Sequence, residues 1–378
     1  MECGYYLHKM KDLSIYKNKK VLCAMSGGID STMSAILLKE AGCSVIGMTM
    51  KTWDYASSGG SNKTTGCCSL DDINDAREIC VDMGIPHYVI DIRESFNDSV
   101  MNNFIDEYMH ARTPNPCILC NTHIKWGALL EKARMLGCEF IATGHYANIK
   151  LENGRYFISK GLDESKDQSY VLWGLPQEVL AKTIFPVGDI LKSDLRQLAE
   201  DKGYTNLSKK SESYEICFIP DNDYRGFLSR KREIKGGNFI DKDGNILGTH
   251  DGIPFFTIGQ RKGLGVVFGE PMYVVSINAK TNDITLGREE DLEKKSMIVK
   301  KVNLQKFGAF EDGMEILANV RYRGSKSHAR LYSLDNETVI VEFFHGVKAI
   351  TPGQSSVFYD ANNPSDVIGG GHIFEVLN

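Results

Sequence analysis

The chain has 378 residues, a formal net charge of −5 at pH 7 and a hydrophobic content of 42%, which is ordinary for a globular protein. This length allows two or three domains with sizeable cores, and the mildly acidic balance means that any nucleic-acid surface must be a local patch. No apolar run approaches the length of a membrane-spanning helix, and the first ten residues lack the apolar core of a secretion signal. We therefore expect a cytoplasmic enzyme that has no membrane partner.

Strand and helix patterns alternate over the first 150 residues. The predicted strands are 21–25, 44–50, 87–91 and 140–143. The predicted helices are 31–40, 71–83, 95–110 and 122–136. This alternation predicts an α/β domain, a doubly wound parallel sheet with helices on both faces. In such a sheet, ligands collect at the carboxyl ends of the strands.

The most informative segment follows the first predicted strand. It reads Ser26-Gly-Gly-Ile-Asp-Ser31 and leads into the first helix. Two glycines let the backbone turn tightly with its N–H groups exposed, and the helix N-terminus behind them favours negative charge. The segment lacks the Gly-Lys-Ser/Thr ending of a Walker A loop. It predicts a different phosphate-binding loop, with Asp30 as an acid that assists Mg²⁺ on the phosphates rather than a dedicated metal site.

This hexapeptide resembles the PP-loop of the ATP pyrophosphatases, which cleave ATP to AMP and pyrophosphate. The alternative is a glycine-rich turn that binds no ligand, and a lone Gly-Gly pair would favour it. The complete Ser-Gly-Gly-x-Asp-Ser pattern between a strand and a helix favours the nucleotide site.

Beyond residue 150 the pattern changes. A hairpin is predicted around Asn153-Gly154, and helices are predicted at 168–174, 177–183 and 192–202. After about residue 225, glycine-rich turns separate short strands, and the spacing of the last strands predicts a small β-barrel. The predicted barrel strands are 297–302, 315–320, 329–332, 338–343, 355–359 and 366–373.

Three domains are predicted from these changes in pattern. A PP-loop catalytic domain is expected over residues 1–222, a small mixed central domain over 223–288 and a C-terminal β-barrel over 289–378. The loop 57–66 and the adjacent pair Cys67-Cys68 receive no assigned role.

Ten cysteines in a cytosolic chain of this size do not form a disulfide framework. Cys117 and Cys120 follow two prolines that stiffen the turn, and a helix predicted from Thr122 places Cys120 close to a helix N-terminus, where a thiolate is stabilised. Cys217 lies far along the chain. Three roles for these cysteines remain open: structural cysteines, a three-thiolate iron–sulfur site, or a pair of catalytic thiols. A zinc site would lack a fourth ligand.

Further motifs place the chain near one family. They are the PP-loop at 24–31, Gly47-Met-Thr-Met50, Thr113-Pro-Asn-Pro-Cys-Ile-Leu-Cys-Asn121, Ala142-Thr-Gly-His-Tyr146, Lys166-Asp-Gln-Ser-Tyr170, Ile216-Cys-Phe-Ile219 and Thr257-Ile-Gly-Gln-Arg-Lys-Gly-Leu-Gly265. Together they resemble the MnmA family of tRNA-specific 2-thiouridylases, over nearly the whole chain and in family order.

The resemblance implies ATP-dependent 2-thiolation of the wobble uridine of tRNA, with ATP and Mg²⁺ as cofactors. It implies that Cys217 carries a persulfide, that Cys120 is the nucleophile that attacks it, and that a Cys120–Cys217 disulfide remains for an external reductant. Cys117 stands where many members carry an aspartate that is proposed as an acid or base, so its role stays open. A cysteine desulfurase or a sulfur-carrier protein is the implied sulfur donor.

The resemblance also implies two sets of binding residues. The ATP-binding residues would be Ala24, Met25, Ser26, Gly27, Gly28, Ile29, Asp30, Ser31, Met50 and Gly144. The tRNA-binding residues would be Asn115, Pro116, Cys117, Lys166, Asp167, Gln168, Arg321 and Tyr322. The wobble base would have to leave its stack to reach such a site.

Three other interpretations compete with this one. Another PP-loop AMP-forming synthetase would share the loop but needs no paired thiols. An RNA-binding protein with a vestigial nucleotide site would need neither thiol, and the complete loop together with Cys120 and Cys217 argues against it. A PP-loop RNA thiolase that uses an iron–sulfur cluster would employ Cys117 as a third ligand.

Overall fold

The computed structural model describes residues 11–53, 70–210, 216–219, 221–265 and 269–377. The loop 57–66 and the pair Cys67-Cys68 lie outside this part. The chain forms two compact units. The first comprises Met1–Ser99, Cys117–Asn222 and Ser365–Val367, and the second comprises Val100–Pro116, Asp223–Pro364 and Ile368–Asn378.

The strands and helices are numbered in chain order. The strands are Lys20–Ala24 (β1), Ser44–Lys51 (β2), His87–Asp91 (β3), Phe140–Ala142 (β4), Ala147–Glu152 (β5), Arg155–Lys160 (β6), Thr183–Ile184 (β7), Gly237–Ile240 (β8), Ile246–His250 (β9), Tyr273–Asn278 (β10), Asp283–Gly287 (β11), Glu293–Leu304 (β12), Met314–Asn319 (β13), Ser327–Ser333 (β14), Thr338–Lys348 (β15), Ser355–Asp360 (β16) and Val367–Leu377 (β17). The α-helices are Ile29–Glu40 (α1), Leu70–Asp82 (α2), Arg93–Phe96 (α3), Asn102–Met109 (α4), Pro116–Leu119 (α5), Trp126–Met135 (α6), Gln177–Leu180 (α7), Lys192–Asp201 (α8), Thr205–Ser208 (α9) and Tyr224–Lys231 (α10).

The first unit is built on a five-stranded parallel sheet in the order β3-β2-β1-β4-β7. The strand order reverses between β1 and β4, so the crevice for a ligand lies outside the carboxyl ends of these two strands. The buried apolar residues of β1 and α1, among them Val21, Cys23 and Met33, form its core. The predicted parallel α/β sheet is therefore confirmed.

The second unit contains two β structures. Strands β8 to β11 form a four-stranded sheet in the order β10-β11-β8-β9, around a core that includes Phe239, Phe255 and Phe256. Strands β12 to β17 close into an antiparallel barrel in the order β12-β15-β14-β13-β16-β17. All six predicted barrel strands are present, which confirms the C-terminal barrel. No described helix of either unit is long and apolar enough to cross a membrane.

Several predicted boundaries were wrong. The helix predicted from Thr122 begins six residues earlier, at Pro116, because a π-helical turn at Cys120–Lys125 joins α5 to α6 without a break. The helix predicted at 168–174 is a short 3₁₀ turn, Ser169–Leu172. The helix predicted at 177–183 ends at Leu180, since Thr183 leaves it to pair with β4 as the edge strand β7.

The predicted hairpin is confirmed. Strands β5 and β6 are antiparallel, and Asn153 and Gly154 both have positive φ, +50° and +76°. The two-residue turns that match the twist of a hairpin need positive φ at both central residues, and Asn-Gly adopts this conformation with little strain.

Candidate active site at the carboxyl edge of the parallel sheet

The Ser26–Ser31 loop leaves β1 and enters α1. Gly27 has a φ of +70°, a left-handed conformation that glycine adopts without strain, and Gly28 caps α1 in an extended conformation. Ser31 Oγ donates to Gly28 O at 3.1 Å and accepts from Ser26 N at 3.1 Å. Because the Ser31 proton is used in this way, the Ser26 hydroxyl is the donor in the 3.1 Å contact between the two Oγ atoms. These bonds fix the loop with its backbone turned around the start of the helix.

Asp30 lies in the first turn of α1, and two distant side chains hold its carboxylate. Tyr146 OH donates to Asp30 Oδ1 at 2.8 Å, and Lys192 Nζ donates to the same oxygen at 2.5 Å. The Lys192 ammonium also lies 5.6 Å from the centre of the Tyr146 ring. The Lys192 side chain is only 8% exposed whereas that of Asp30 is 33% exposed, so Asp30 presents a partly neutralised carboxylate to the crevice.

The fold brings Lys192 to this position through the start of α8. Lys192 is the first residue of the helix, and its backbone N–H donates to Asp163 Oδ2 at 3.0 Å. Burial raises the pKa of Asp163, but bonds from Ser165 and from the Lys192 backbone outweigh it and lower the pKa overall. Asp163 therefore stays ionised and fixes the end of α8 from which Lys192 reaches Asp30.

Gly144 follows β4 and touches the loop. A Cβ at this position would lie 2.6 Å from Asp30 C and Ser31 N, closer than non-bonded atoms approach. The backbone after β4 therefore packs directly against the start of α1, and only glycine fits. Met50, near the carboxyl end of β2, is partly exposed at the same edge of the sheet. The sheet thus brings together the predicted loop, Met50 and Gly144.

His145 is locked in place beside Gly144. Its Nδ1 lies 2.8 Å from Thr143 Oγ1, and its ring packs between Trp126, at 5.4 Å between centroids, and Phe185, at 5.9 Å. Burial of the ring, with a smaller contribution from Lys125, lowers the pKa of His145 to about 3. The imidazole is therefore neutral at neutral pH and acts as a fixed packing element behind the crevice.

Cys117 and Cys120 lie on one helical stretch. Cys117 is in the first turn of α5 and is exposed, whereas Cys120 begins the π-helical turn and is 7% exposed. The next residue, Asn121, is buried and donates from Nδ2 to Val171 O at 3.1 Å. The wider π turn, a feature often found at functional sites, places Cys120 inward while Cys117 faces solvent.

Cys217 is half-buried and precedes Phe218 in a short turn in which Ile219 N donates to Ile216 O at 2.9 Å. The Phe218 ring packs edge-on against Phe96 of α3, with 5.8 Å between centroids. The π turn that begins at Cys120 also packs against α3. Since α3 follows β3, one short helix at the carboxyl edge of the sheet supports both cysteine segments.

The iron–sulfur alternative gains no support from this arrangement. Within the described residues, no group of three or more His, Cys, Asp or Glu side chains is placed to hold a metal ion. Cys117, Cys120 and Cys217 all belong to that part of the chain.

The predicted RNA-binding residues fall in three places. Asn115 and Pro116 directly precede exposed Cys117. In the second group, Asp167 Oδ1 accepts from Gly161 N and Ser169 N, and Gln168 Oε1 accepts from Tyr146 N at 3.0 Å, while Lys166 is partly exposed. Arg321 and Tyr322 are exposed in the turn that follows β13 of the barrel.

Sequence analysis missed two residues of this site. Tyr146 belongs to a quoted motif, but nothing local indicates that its hydroxyl reaches Asp30. Lys192 was placed at the start of a predicted helix, and 162 residues separate it from Asp30. Proximity over such a separation depends on the chain path, which has no local signal.

A parallel sheet with this loop at its switch point defines the class as a PP-loop nucleotide-binding protein. Residues 19–221 match the family model for the tRNA methyl transferase HUP domain, residues 225–288 that for the tRNA methyl transferase PRC-barrel domain and residues 294–373 that for the aminomethyltransferase beta-barrel domain.

Comparison with individual proteins is more specific. The chain is 53% identical to the tRNA-specific 2-thiouridylase MnmA of Cytophaga hutchinsonii, over 94% of this chain and 98% of the relative. It is 53% identical to the protein of that name from Amoebophilus asiaticus (94% and 96% covered) and 45% identical to that from Clostridioides difficile (96% and 99% covered). The chain belongs to the MnmA family.

Solved structures are more distant. A 4-thiouridine synthetase in complex with RNA and ATP is 15% identical with a TM-score of 0.36, over 56% of this chain and 50% of that one. NMN synthetase from Francisella tularensis is 17% identical with a TM-score of 0.33, over 57% of this chain and 74% of that one. Similarities this low carry no argument about function.

Proposed function

We propose that the protein catalyses ATP-dependent 2-thiolation of the wobble uridine of tRNA. The observation that carries the proposal is the common location of a phosphate-binding loop and two cysteine segments at the carboxyl edge of one sheet. Near full-length identity to proteins named tRNA-specific 2-thiouridylase supports the substrate. The reaction requires activation of the base by ATP and delivery of sulfur. The phosphate-binding loop suits the first requirement and the cysteine segments suit the second.

The first step activates the base. The C2 oxygen of uracil is a poor leaving group, so it attacks the α-phosphate of ATP and expels pyrophosphate, which leaves the base bonded to AMP through that oxygen. The Ser26–Ser31 loop and the N-terminus of α1 would hold the phosphates. Asp30, whose carboxylate Tyr146 and Lys192 hold through Oδ1, is the residue that would hold Mg²⁺. When bound, Mg²⁺ would neutralise charge on the phosphates.

The second step delivers sulfur. A persulfide on Cys217 attacks C2 through its terminal sulfur, and AMP leaves with the former base oxygen. The thiolate of Cys120 then attacks the Cys217 sulfur, which releases the thiolated base and forms a Cys120–Cys217 disulfide. An external reductant restores both thiols, and a cysteine desulfurase or a sulfur-carrier protein reloads Cys217. Exposed Cys117, beside the proposed target-base residues Asn115 and Pro116, stays open as an acid or base.

Recognition of tRNA would use surfaces on both units. Lys166, Asp167 and Gln168 are proposed contacts on the first unit, and Arg321 with exposed Tyr322 on the second. Arg321 is basic and can contact phosphate, and the neighbouring aromatic ring of Tyr322 can stack on a base. The three predicted domains, 1–222, 223–288 and 289–378, remain our proposed division of these roles.

The proposal is tested by mass spectrometry of nucleosides from unmodified tRNA incubated with the protein, ATP and Mg²⁺. The sulfur source is either sulfide or a cysteine desulfurase with cysteine. We expect ATP-dependent 2-thiouridine with both sources in the wild type. Cys217→Ser should lose the desulfurase-driven product, whereas Cys138→Ser, a half-buried cysteine outside the site, should keep it. ATP cleavage to AMP without any thiolated nucleoside would move the protein to another branch of the PP-loop enzymes.

A further inference from the structure

The chain that leads into the proposed base-contact residues is bonded to the barrel within the second unit. Thr113 N donates to Pro352 O at 2.9 Å, and Gln354 Nε2 donates to Thr113 O at 2.8 Å. The same amide nitrogen donates more weakly to Pro114 O, at 3.4 Å. The N–H and the carbonyl of Thr113 therefore both end on the turn between β15 and β16.

This turn is itself fixed. Gly353 has a φ of +93°, and a Cβ there would lie 2.8 Å from Thr113 N, so the two backbones lie against each other. The backbone N–H of Gln354 donates to Thr351 O at 3.2 Å, and its carbonyl accepts from Ile373 N of β17 at 2.8 Å. The side-chain amide of Gln354 thus starts from a backbone that is held on both sides.

Arg112 adds a second attachment to the barrel. Its two terminal nitrogens donate to Phe374 O at 3.0 Å and to Ile373 O at 3.1 Å, both in β17. Its Nε donates to Glu107 Oε2 at 2.8 Å. A guanidinium that is bonded through all three nitrogens has a fixed orientation, so Arg112 anchors the start of this segment.

The chain beyond the anchor is stiff. The rings of Pro114 and Pro116 fix φ at about −65°. Each proline also keeps the residue before it, Thr113 or Asn115, out of the helical region. Because Thr113 is held at both of its backbone groups, its position determines the direction in which Asn115 and Pro116 continue. These two residues are the proposed contacts of the target base.

We propose that Gln354 is a positioning residue that holds the segment Asn115-Pro116 where the wobble uridine docks. This inference rests on the proposed function and deepens it. Without the amide of Gln354, the carbonyl of Thr113 loses its donor and the segment can shift. The phosphate-binding loop keeps its own bonds in the first unit, so ATP binding is unaffected. A displaced base reaches the geometry for reaction less often, so thiolation slows.

The test is the single-turnover rate of 2-thiouridine formation with saturating tRNA and ATP and with sulfide as the sulfur source. Rates are expressed per molecule that binds tRNA, counted by filter binding, so that unfolded protein does not contribute. Gln354→Met removes the N–H donors at similar size, and we expect the rate to fall about threefold to tenfold. Gln354→Glu turns a carboxylate oxygen toward the carbonyl oxygens and should lower the rate further, by about tenfold or more.

Two affinities distinguish positioning from direct binding. The dissociation constants of tRNA and of a non-hydrolysable ATP analogue should stay within about twofold of the wild type in both variants, since phosphate contacts dominate the affinity for RNA. The matched control is Gln197→Met, at an exposed glutamine of α8, and it should keep the wild-type rate and both affinities.

Pro114→Ala covers the case in which neither Gln354 variant folds. It keeps the Gln354 amide but relaxes the stiff segment, and it should lower the same rate about twofold to threefold. A wild-type rate in these variants, a smaller fall in Gln354→Glu than in Gln354→Met, or a change in either affinity that accounts for the slower rate overturns the inference. A wild type that forms no 2-thiouridine with sulfide or with a desulfurase overturns the proposed function instead.

Discussion

Lys192 and Asp30 form an ion pair in which Nζ lies 2.5 Å from Oδ1, although they come from opposite ends of the first unit's sequence. The pair places a buried cation beside the acid of a phosphate-binding loop. A bare carboxylate would repel a triphosphate, so the lysine makes the crevice more favourable for an anion. Tyr146 adds a hydroxyl bond to the same oxygen, and together these groups fix the direction of the remaining oxygen.

Replacement of Lys192 by methionine should weaken nucleotide use. Lys192→Met keeps the length of the side chain but removes the charge, which leaves Asp30 uncompensated in front of the phosphates. We expect tRNA-dependent AMP formation to fall about tenfold to a hundredfold, with a higher KM for ATP. Initial rates of AMP release over a range of MgATP concentrations measure both constants.

The matched control is Lys182→Met, an exposed lysine of the same unit. It should leave both constants within about twofold of the wild type, as surface substitutions usually do. If Lys192→Met behaves like this control, the ion pair has no part in nucleotide use.

Tyr146→Phe should have a smaller effect because it removes one hydrogen bond and no charge. A hydrogen bond to a charged group contributes about 1.5–3 kcal/mol, and because Asp30 is partly exposed we expect the lower end, a fall in AMP formation of roughly tenfold. Since Tyr146 and Lys192 donate to the same oxygen, their effects should not add. A double-mutant cycle of Tyr146→Phe and Lys192→Met measures this coupling, and strictly additive effects would show that the residues act independently.

Gly144→Ala tests the close approach of the backbone after β4 to the loop. The new Cβ meets backbone atoms of Asp30 and Ser31 that cannot rotate away, so the loop must shift. Overpacking of this kind costs about 1–3 kcal/mol, and we expect binding of ATP to weaken by about tenfold or more. Isothermal titration with a non-hydrolysable ATP analogue measures the change.

Gly127→Ala is its control, because Gly127 lies in α6 and a Cβ there meets no atom within 4 Å. Alanine is the better helix former, so this variant should be neutral or more stable by about 0.5–1 kcal/mol. Equal affinity for the analogue in both glycine variants would contradict the proposed contact.

His145 predicts a dependence of stability on pH. Its pKa is lowered to about 3 in the folded protein, whereas an unfolded histidine titrates near its ordinary value of about 6.5. Between these values the unfolded chain binds a proton that the folded chain does not, so stability falls as the pH falls below about 6.5. From pH 7 to pH 5 this residue should contribute a loss of about 1–2 kcal/mol.

Urea unfolding at the two pH values measures this loss, and His145→Asn is the comparison variant. Asparagine does not titrate in this range, so the difference between the two pH values should be smaller in the variant by that amount. Other histidines contribute equally to both proteins and cancel. The same pH dependence in wild type and variant would show that the pKa of His145 is the same in the folded and the unfolded chain.

The parts of the fold that could be predicted are the strands and helices that have a local sequence pattern. The strands β1 to β4 were predicted within one residue at each end, and all six barrel strands within five, because alternation and apolar runs encode them. The errors came where tertiary contacts override such patterns. Thr183 reads as the end of a helix but pairs with β4, and the helix through Cys120 starts early because a π turn joins two helical segments.

The sequence by itself determined the glycine turn at 26–31, the parallel sheet and the barrel, since each depends on residues close together in the chain. The roles of Cys120 and Cys217 remain predictions from a family resemblance. Only the tertiary structure decided which side chains complete the site. Lys192 and Tyr146 reach Asp30, Lys210 ties Gly27 to α2, and α3 supports both cysteine segments. These contacts join residues from about twenty-four to more than one hundred and eighty positions apart. Periodicity specifies which face of an element is buried, but the path of the chain decides which distant residue it meets.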